Sequence, residues 1–308
     1  MQLNAGSLNC TFICMTQQLS CIEYFTNKIL LIATLITVLC SCKTQKLAAV
    51  SNAYKAEGYK LVYADEFNKE GKPDTANWRY EKGFVRNEET QWYQEENAFI
   101  ENGLLVIEGR KEAKPNPRYG VNDKDWRRSR KEINYTSSSI NTSGKHSWLY
   151  GRFVMRGKID ISSGLWPAWW TLGVSGRWPA NGEIDIMEYY RKMLLANIAC
   201  QGTNGKAEWY ANSFSTDSLG GKEWASKFHT WRMDWDENAI ALFVDDVLLN
   251  KTLLSKLVNK DGSKINPFKH PHYMLLNLAM GGMNGGDLKD TKFPNRFEVD
   301  YVRVYQKM

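Results

Sequence analysis

The sequence predicts an all-β fold, a sandwich or barrel of antiparallel strands, and three observations support this prediction. From about residue 59 onward, the chain consists of short runs in which apolar and polar residues alternate, as in half-buried strands. Gly, Asn, Asp and Pro, the residues that turns favour, separate these runs. No long stretch has the 3.6-residue period of an amphipathic helix, which argues against alternating strands and helices. A large antiparallel sandwich curves, and its concave face can form an open cleft for a polymer.

Four segments show the strand pattern most clearly. Each is rich in β-branched and aromatic residues, which suit a pleated and half-buried surface. Asn102-Gly103 comes just before the first segment and Asp245-Asp246 just after the third, and both pairs favour the tight turns of hairpins. The segments are 104–108, 151–156, 239–244 and 297–305.

The composition suits a single folded domain. The chain has 308 residues, of which 43% are hydrophobic, and an all-β domain can exceed about 200 residues. Its twelve tryptophans could fill the core or stack against sugar rings, and their number alone does not distinguish these uses. We assign residues 59–308 to one domain and expect it to act as a monomer.

Residues 1–41 are expected to be a signal peptide and not part of the fold. Lys28 precedes a mainly apolar stretch, residues 29–39, which is too short to span a bilayer but matches the apolar core of a secretory signal. The following Leu-Cys-Ser-Cys resembles a bacterial lipobox, in which Cys42 would be lipidated; an ordinary signal peptide with an incidental cysteine is the alternative. Residues 42–58 would then be a flexible tether. We therefore expect an exported protein, lipid-anchored to a bacterial membrane at its periplasmic face or on the cell surface.

Cysteines and charges exclude several classes of protein. Only Cys200 of the six cysteines lies in the predicted domain, so an internal disulfide is excluded there, and the sequence has no clustered zinc motif. The formal net charge is +6, and the chain contains a basic run at 125–131. Such a run is usually a solvated loop, with contact to an anionic polymer as the alternative. Nothing else supports nucleic-acid binding, so we expect none.

A short acidic strand carries the strongest functional signal. Glu183 and Asp185 alternate with isoleucines, which places both carboxylates on one face of a strand. Strict alternation would next bring Met187 to that face, but the third acid is Glu188. A one-residue β-bulge at Met187 would return Glu188 to the acidic face, and bulges are frequent beside active sites. Carboxylates crowded on one face repel each other and raise at least one pKa, a cost that a purely structural strand has no reason to carry.

Paired carboxylates of this kind are the catalytic groups of glycoside hydrolases that retain the anomeric configuration. One carboxylate attacks the anomeric carbon and forms a glycosyl-enzyme, while the other first protonates the leaving oxygen and then deprotonates the incoming water. Their oxygens lie roughly 5–5.5 Å apart in such enzymes. Two glutamates near opposite ends of a short bulged strand can lean together on a concave face to reach this spacing. The motif therefore predicts a retaining glycosidase.

The acidic strand and its flanks resemble the active-site signature of glycoside hydrolase family 16, in its bulged form. That family includes laminarinases and other β-1,3-glucanases, agarases, carrageenases, porphyranases and endo-β-galactosidases. The resemblance covers most of residues 60–308, because six further motifs follow in the family's order. The signature is 178–189, and the motifs are Asp65-Glu66-Phe67, Asn77-Trp78, Arg86-Asn87 with Glu89-x-Gln91-x-Tyr93, the run 164–170, Asn277-Leu278-Ala279 with Gly281-Gly282, and the run 300–305.

The resemblance implies a fold, a reaction and three catalytic roles. The fold would be a jelly-roll β-sandwich of two curved antiparallel sheets, with the substrate cleft across the concave sheet. Glu183 would be the nucleophile, Glu188 the acid/base and Asp185 their helper, and the enzyme would cleave internal β-linkages of a polysaccharide or glycan without a cofactor. The family also suggests a structural calcium on the convex side, with Asp300 and the Gly103 carbonyl as ligands. A neighbouring arginine is the alternative partner for Asp300.

The resemblance also suggests five substrate-binding residues. Trp178 is similar in position to a tryptophan that stacks on a sugar beside the cut. Trp166 and Trp170 alternate onto one face of their strand and are candidates to touch substrate, with the core as the alternative. Arg86 and Asn87 resemble a loop that hydrogen-bonds sugar hydroxyls, although Asn87 would serve equally as a turn cap.

Two segments depart from the laminarinase pattern and leave the sugar open. Laminarinases usually carry two histidines on the strand after the acidic one, whereas residues 190–202 contain none. They also tend to place a tryptophan after Gly281-Gly282, where this chain has Met283-Asn284-Gly285-Gly286. Because specificity loops and catalytic residues vary independently, a β-galactoside (a galactan or a poly-N-acetyllactosamine glycan) and a β-1,3-glucan both remain candidate substrates.

Two further functions use the same scaffold. A transglycosylase would pass the sugar to another saccharide through the same covalent intermediate. A non-catalytic glycan-binding lipoprotein would be expected to lose one of the glutamates, and both are present here.

Overall fold

The computed structural model describes residues 49–308, which fall into two units. In the first unit, residues 49–56 form helix α1, and the chain leaves it through Gly58, whose φ of 82° suits glycine. These residues depart from the unstructured tether expected over 42–58, and the three alanines within 49–56 favour a helix. A flexible tether over 42–58 stays a prediction. The predicted signal peptide and the lipidation site Cys42 lie outside the described residues and stay predictions. No helix within 49–308 is long and apolar enough to cross a membrane.

The second unit, Tyr59–Met308, is built mainly of β-strands. The β-branched and aromatic runs of the sequence form these strands, and left-handed pairs such as Asn102-Gly103 and Asp245-Asp246 form turns between them. The strands are β1 (Tyr59–Asp65), β2 (Arg79–Tyr80), β3 (Gln91–Tyr93), β4 (Ala98–Glu101), β5 (Leu104–Pro115), β6 (Glu132–Ser137), β7 (Ser139–Asn141), β8 (Gly151–Lys158), β9 (Leu165–Gly173), β10 (Glu183–Tyr190), β11 (Met193–Gln201), β12 (Ala207–Ser215), β13 (His229–Trp235), β14 (Ala239–Val244), β15 (Val247–Leu253), β16 (His272–Met280) and β17 (Asn295–Lys307).

Helical segments of this unit are short and lie in the connections. The α-helical ones are α2 (Trp126–Ser129), α3 (Gly221–Ala225) and α4 (Gly282–Gly285). Single turns of 3-10 helix lie at Glu95–Asn97, Thr203–Gly205, Asp217–Leu219, Leu254–Lys256 and Pro267–Lys269.

The strands form two sheets. The larger sheet has ten strands in the order β15-β14-β13-β8-β17-β5-β6-β3, with β1 beside β17 and β4 beside β5. The smaller sheet has seven strands in the order β12-β11-β10-β9-β16-β7-β2. Neighbouring strands are antiparallel apart from the pair β3 and β6. The predicted all-β sandwich is confirmed, and the barrel alternative is wrong because neither sheet of the described chain closes on itself.

One hydrophobic core lies between the sheets. Strand β10 contributes Ile184, Ile186 and Met187 to it, β9 contributes Trp169, and β13 of the larger sheet contributes Trp231. All five side chains are fully buried. Burial of each aliphatic side chain of this size contributes roughly 1.5–3 kcal/mol. The core therefore anchors one face of β10 and leaves the other face to the outside of the smaller sheet.

The basic run 125–131 does not form the solvated loop that its composition suggests. Asp125 caps α2 by accepting a hydrogen bond from the Arg127 backbone N–H at 2.9 Å. Asn116 Nδ2 donates to the carbonyls of Arg127 and Arg130 at 3.0 and 2.8 Å. The guanidinium groups of both arginines donate to carbonyls of another loop. The expectation of a solvated loop is therefore wrong for Arg127 and Arg130, which have partners within the fold, whereas Arg128, Ser129 and Lys131 are exposed as expected.

Asp300 lies on β17, in the sheet that does not contain the acidic strand. Its Oδ2 accepts a hydrogen bond from Arg156 Nη1 at 2.8 Å, as the arginine alternative predicts. Within residues 49–308, no group of three or more His, Cys, Asp and Glu side chains is arranged to hold a metal ion. A cation beside its carboxylate makes Asp300 a poor fit for calcium, and calcium binding stays an untested prediction.

Gly182 sets the start of β10. Its φ of 75° is left-handed, and a Cβ at this position would lie 2.9 Å from Pro267 Cβ and 3.1 Å from Phe268 Cε1. Gly205 has nearly the same φ, 73°, but a Cβ there would meet nothing within 4 Å. Both glycines have a left-handed backbone, but only Gly182 lies close to neighbouring atoms. Comparing alanine substitutions at the two positions therefore distinguishes the cost of backbone strain from the cost of steric overlap.

We expect Gly182→Ala to lower the free energy of unfolding by about 1–3 kcal/mol more than Gly205→Ala does, since overpacking has this usual cost. The left-handed backbone costs about 1–2 kcal/mol in both variants and cancels in the comparison. Urea denaturation followed by tryptophan fluorescence measures both losses. Equal losses would contradict the prediction, because they would mean that Pro267 and Phe268 accommodate the added methyl group without lowering the free energy of unfolding.

Candidate active site

The acidic face of β10 depends on a β-bulge. Asp185 pairs with Asn197 of β11 and Glu188 with Leu195, so Ile186 and Met187 together face the single residue between those partners. Both bulged side chains point into the core, and Glu188 thereby returns to the face that carries Asp185. The bulge predicted from the sequence is present and spans residues 186–187.

A cleft of about 620 Å³ lies over this face. It is lined by side chains of the smaller sheet, of the loops between β2 and β3 and between β9 and β10, and of α4. The catalytic and substrate-binding residues predicted from the sequence all line it, whereas Asp300 does not. Trp169, between two of the predicted tryptophans on β9, is the one in the core. The predicted residues in the cleft are Arg86, Asn87, Trp166, Trp170, Trp178, Glu183, Asp185 and Glu188.

Glu188 is a buried carboxyl group with two side-chain donors. Trp166 Nε1 donates to its Oε1 at 2.7 Å, and Asn197 Nδ2 donates to its Oε2 at 3.3 Å. Burial raises the pKa of Glu188 to about 7, an effect that the Trp166 hydrogen bond opposes and the charge of Glu183 reinforces. Near neutral pH this group therefore samples both protonation states, which suits an exchange of protons with a ligand.

Glu183 has a different environment at the start of the strand. The indole N–H of Trp178 donates to its Oε2. Burial raises the pKa of Glu183, and hydrogen bonds from Trp178 and Asp185 and the positive charge of Arg86 oppose that rise. Trp178 is 52% exposed, so its indole bonds the carboxylate by one edge and leaves much of its ring open to the cleft.

Asp185 lies between the two glutamates and is almost fully buried. Burial raises its pKa well above the usual range, and the charges of Glu183 and Glu188 raise it further. Among the described residues, no donor bonds its Oδ2. A buried carboxyl oxygen without a donor beside two other carboxyls is most stable when it carries a proton itself. The raised pKa therefore favours the protonated form of Asp185, although a hydrogen bond from Asn197 opposes the rise, and the hydrogen bond between Asp185 and Glu183 favours ionised Glu183.

The environments of the three carboxyl groups give them different chemical uses. The raised pKa of Asp185 favours its protonated form, Glu183 receives donors that favour its ionised form, and the pKa of Glu188 is about 7. Because the groups are close, their titrations are linked and their protons are shared. One ionised carboxylate beside one carboxylic acid is the pair that acid-assisted nucleophilic attack requires.

A hydrogen-bond chain holds Trp170 at the base of the cleft. Trp170 Nε1 donates to Asn277 Oδ1 at 2.7 Å, and Asn277 Nδ2 donates to the hydroxyl of Tyr93 at 3.3 Å. The Arg86 guanidinium lies over the indole ring, 5.2 Å from its centroid. Trp170 is therefore a fixed aromatic surface with a cation above it.

Arg86 and Asn87 lie in the loop between β2 and β3. Arg86 forms an ion pair with Glu81, which also accepts a hydrogen bond from Ser139 Oγ at 2.6 Å. Among residues 49–308, no acceptor bonds Arg86 Nη1, which is buried. Asn87 Nδ2 donates to Glu89 Oε1 at 3.3 Å, and the φ of 53° at Asn87 shapes the turn. Asn87 therefore shapes the turn and also lines the cleft, and its binding of sugar hydroxyls stays a prediction.

Ten further residues line the cleft without having been assigned to it from the sequence, and six of them are polar or aromatic. Strand alternation could have located Asn197, because it pairs with Asp185 across β10 and β11. Trp209, on the edge strand β12, is 45% exposed, and its place depends on a register that local sequence does not reveal. Asn284 belongs to the segment that departs from the laminarinase pattern. The six are Glu89, Tyr190, Asn197, Trp209, Asn277 and Asn284.

Comparisons with known proteins agree on one family. Residues 86–303 match the family described as Glycosyl hydrolases family 16. A β-glucanase from Rhodothermus marinus is 33% identical over 89% of this chain and 93% of its own length. A keratan-sulfate endo-1,4-β-galactosidase from Sphingobacterium multivorum is 27% identical over 80% of this chain but only 55% of that longer protein. A solved structure from work on endo-acting O-glycanases of human gut bacteria that initiate mucin breakdown has a TM-score of 0.73 and 32% identity, over 81% of this chain and 91% of that chain.

The two indole donors predict separate effects on the two glutamates. Trp166→Phe removes a donor that favours ionised Glu188, so the pKa of Glu188 should rise from about 7, by roughly 1–2 units for a hydrogen bond to a charged group. Trp178→Phe is the matched control, because its indole donates to Glu183. Carbon-13 NMR titration of the glutamate carboxyl groups measures both shifts. A larger Glu188 shift in Trp178→Phe than in Trp166→Phe would contradict the prediction.

Proposed function

Because this chain belongs to glycosyl hydrolase family 16, we propose that it cleaves internal β-linkages of a glycan with retention of the anomeric configuration. The observation that carries this proposal is the buried acidic face of β10, with three carboxyl groups in different environments. A glycan-binding protein without activity would need no such group, since unpaired buried carboxyls are unfavourable. Both glutamates have their donors in place, which favours an enzyme over the binding-protein alternative.

In the proposed mechanism, Glu183 attacks the anomeric carbon while Glu188 gives its proton to the departing glycosidic oxygen. The bond from carbon to the leaving oxygen breaks as the bond to Glu183 forms. Glu188, now ionised, takes a proton from water, which displaces Glu183 and restores both groups. Asp185 keeps its proton and steadies the charge on Glu183 through their hydrogen bond. Each step uses side chains alone and needs no metal ion.

The shape of the cleft supports endo action. The catalytic strand β10 has β9, β16 and the Arg86 loop on one side, and β11 and β12 with Trp209 on the other. A glycan crossing β10 would therefore meet the Arg86 loop on one side of the cut and the exposed ring of Trp209 on the other. Such a cleft suits the middle of a chain better than its end.

For the sugar, we propose a β-galactoside glycan of the galactan or poly-N-acetyllactosamine type. Strand β11 presents Leu195 and Asn197 to the cleft and no histidine, unlike the laminarinase pattern. The likeness to a keratan-sulfate galactosidase and to an O-glycanase structure supports this choice. A β-1,3-glucan is the second candidate, favoured by the 33% identity to a β-glucanase. Transfer to a second saccharide in place of water uses the same intermediate and is the alternative reaction.

Azide tests the two glutamate roles. We expect Glu188→Ala to lose about 10²- to 10⁴-fold in turnover of polysaccharide, the usual worth of a general acid. With an activated aryl glycoside, azide should restore turnover and give the β-glycosyl azide, because the glycosyl-enzyme still forms on Glu183. Glu183→Ala should give the α-glycosyl azide by direct displacement. Proton NMR distinguishes the anomers, and the same anomer from both variants would overturn the assignment.

A substrate panel tests the sugar and the mode of cleavage. We expect poly-N-acetyllactosamine glycans, agar or carrageenan to be cleaved faster than laminarin or mixed-linkage glucan. Early products should be large oligosaccharides that carry the β-anomer, and their sizes should fall with time. An added saccharide acceptor separates transfer from hydrolysis. Preference for laminarin would favour the glucan candidate, and release of monosaccharides alone would contradict endo action.

A further inference from the structure

The cleft loop, residues 81–90, holds Arg86 and Asn87 in a conformation that its own sequence does not favour. Asn87 and Glu88 both have left-handed φ values, 53° and 51°. Asn tolerates this region, but other residues with a side chain, such as Glu88, avoid it because Cβ approaches the following carbonyl oxygen. The clamp segment, residues 116–131 between β5 and β6, lies against this loop. Contacts from outside the loop therefore stabilise its conformation.

Two arginines of the clamp segment supply such contacts. Arg130 donates from Nη2 to the Glu88 carbonyl at 2.7 Å and from Nη1 to the Glu89 carbonyl. Arg127 donates to the Val85 carbonyl from Nε at 3.3 Å and from Nη2 at 3.0 Å. The bonded carbonyls lie on both sides of the two cleft-lining residues. The guanidinium groups thus fix the loop where it enters and where it leaves the cleft.

Both guanidinium groups are themselves held in place. Arg130 lies over the rings of Phe84 and Trp126, 4.9 and 4.8 Å from their centroids, and Arg127 lies 4.9 Å from the Trp126 centroid. Asn116 Nδ2 donates hydrogen bonds to the backbone carbonyls of both arginines and so fixes their backbone. Their donors are therefore pre-positioned for the carbonyls that they meet.

Helix α4 meets the cleft loop as well. The Met283 backbone N–H donates to the Asn87 carbonyl at 2.9 Å. Gly282 approaches so closely that a Cβ there would lie 2.6 Å from the same carbonyl oxygen. The cleft loop is therefore fixed by α4 and by the clamp segment, and neither belongs to the catalytic strand.

We propose that Arg127 and Arg130 are positioning residues for glycan binding, which hold the cleft loop so that Arg86 and Asn87 meet the sugar. The basic run then acts through this loop without touching the substrate. This inference rests on the proposed function, since it takes the cleft to bind a glycan. Arg128 provides a matched control: it pairs with Asp123 at 3.0 Å, and within residues 49–308 it makes no hydrogen bond to the cleft loop.

Arg130→Met tests the proposal, because the side chain keeps some apolar contact and loses both hydrogen bonds. We expect KM for the glycan to rise about 10- to 100-fold, because loss of a hydrogen bond from a charged donor weakens binding by about one to two factors of ten. The value of kcat should change little, because the lost contact lies away from the reacting bond. Arg130→Lys should restore part of the affinity, and Arg128→Met should behave like the unchanged protein.

Hydrogen exchange gives a second measurement that needs no substrate. Backbone amides of the cleft loop should exchange faster in Arg130→Met, whereas the amides of β10 in that variant should exchange at their usual rate. In Arg128→Met, the exchange rates of all amides should stay unchanged. Unchanged KM and exchange in Arg130→Met overturn the proposal, as does a loss of kcat at constant KM or an equal effect of Arg128→Met. Faster loop exchange in a protein that cleaves no glycan would instead count against the proposed function. If Arg130→Met does not fold, KM and hydrogen exchange of Arg130→Lys and Arg127→Met are compared with those of Arg128→Met in the same way.

Discussion

The site depends on the electrostatics of one strand, β10, which carries three carboxyl groups on one face and core side chains on the other. A buried carboxylate is unfavourable unless donors meet it or a proton neutralises it. The strand uses both solutions. Trp166 and Trp178 donate to Glu188 and Glu183, and the raised pKa of Asp185 favours its protonated form. The three groups therefore differ in how readily each holds a proton, which is the condition for acid-assisted displacement.

The bulge connects this chemistry to the stability of the sandwich. Without an extra residue, alternation would place Glu188 in the core and Met187 in the cleft. With it, Ile186 and Met187 both enter the core, and the interior gains an apolar side chain as the cleft gains the acid. Packing in the core therefore fixes the position of a cleft carboxyl group. A change at Met187 would move Glu188 through the backbone even though the two side chains point in opposite directions.

The sequence predicted what short-range pattern determines. Alternation and one misplaced acid were enough to locate the bulge and the carboxylates, because both are properties of six consecutive residues. Trp209 and the clamp segment were not predictable in the same way, since their places depend on strand pairing and loop contacts between residues far apart in the chain. The basic run shows the limit most clearly. Its composition suggests a solvated loop, and only the fold brings Arg127 and Arg130 to the carbonyls that they bind.

Recognition and catalysis meet at Asn197. This side chain lines the cleft and also donates to Glu188, so a bound sugar beside it changes the surroundings of the acid. Displacement of water would raise the pKa of Glu188 further, because burial is already its largest cause, and would retain the proton that the leaving oxygen needs. Glu183 would experience the same loss of water, but the hydrogen bonds from Trp178 and Asp185 and the charge of Arg86 oppose the rise of its pKa. Substrate binding would thus increase the difference between the two glutamates in the direction that the reaction requires.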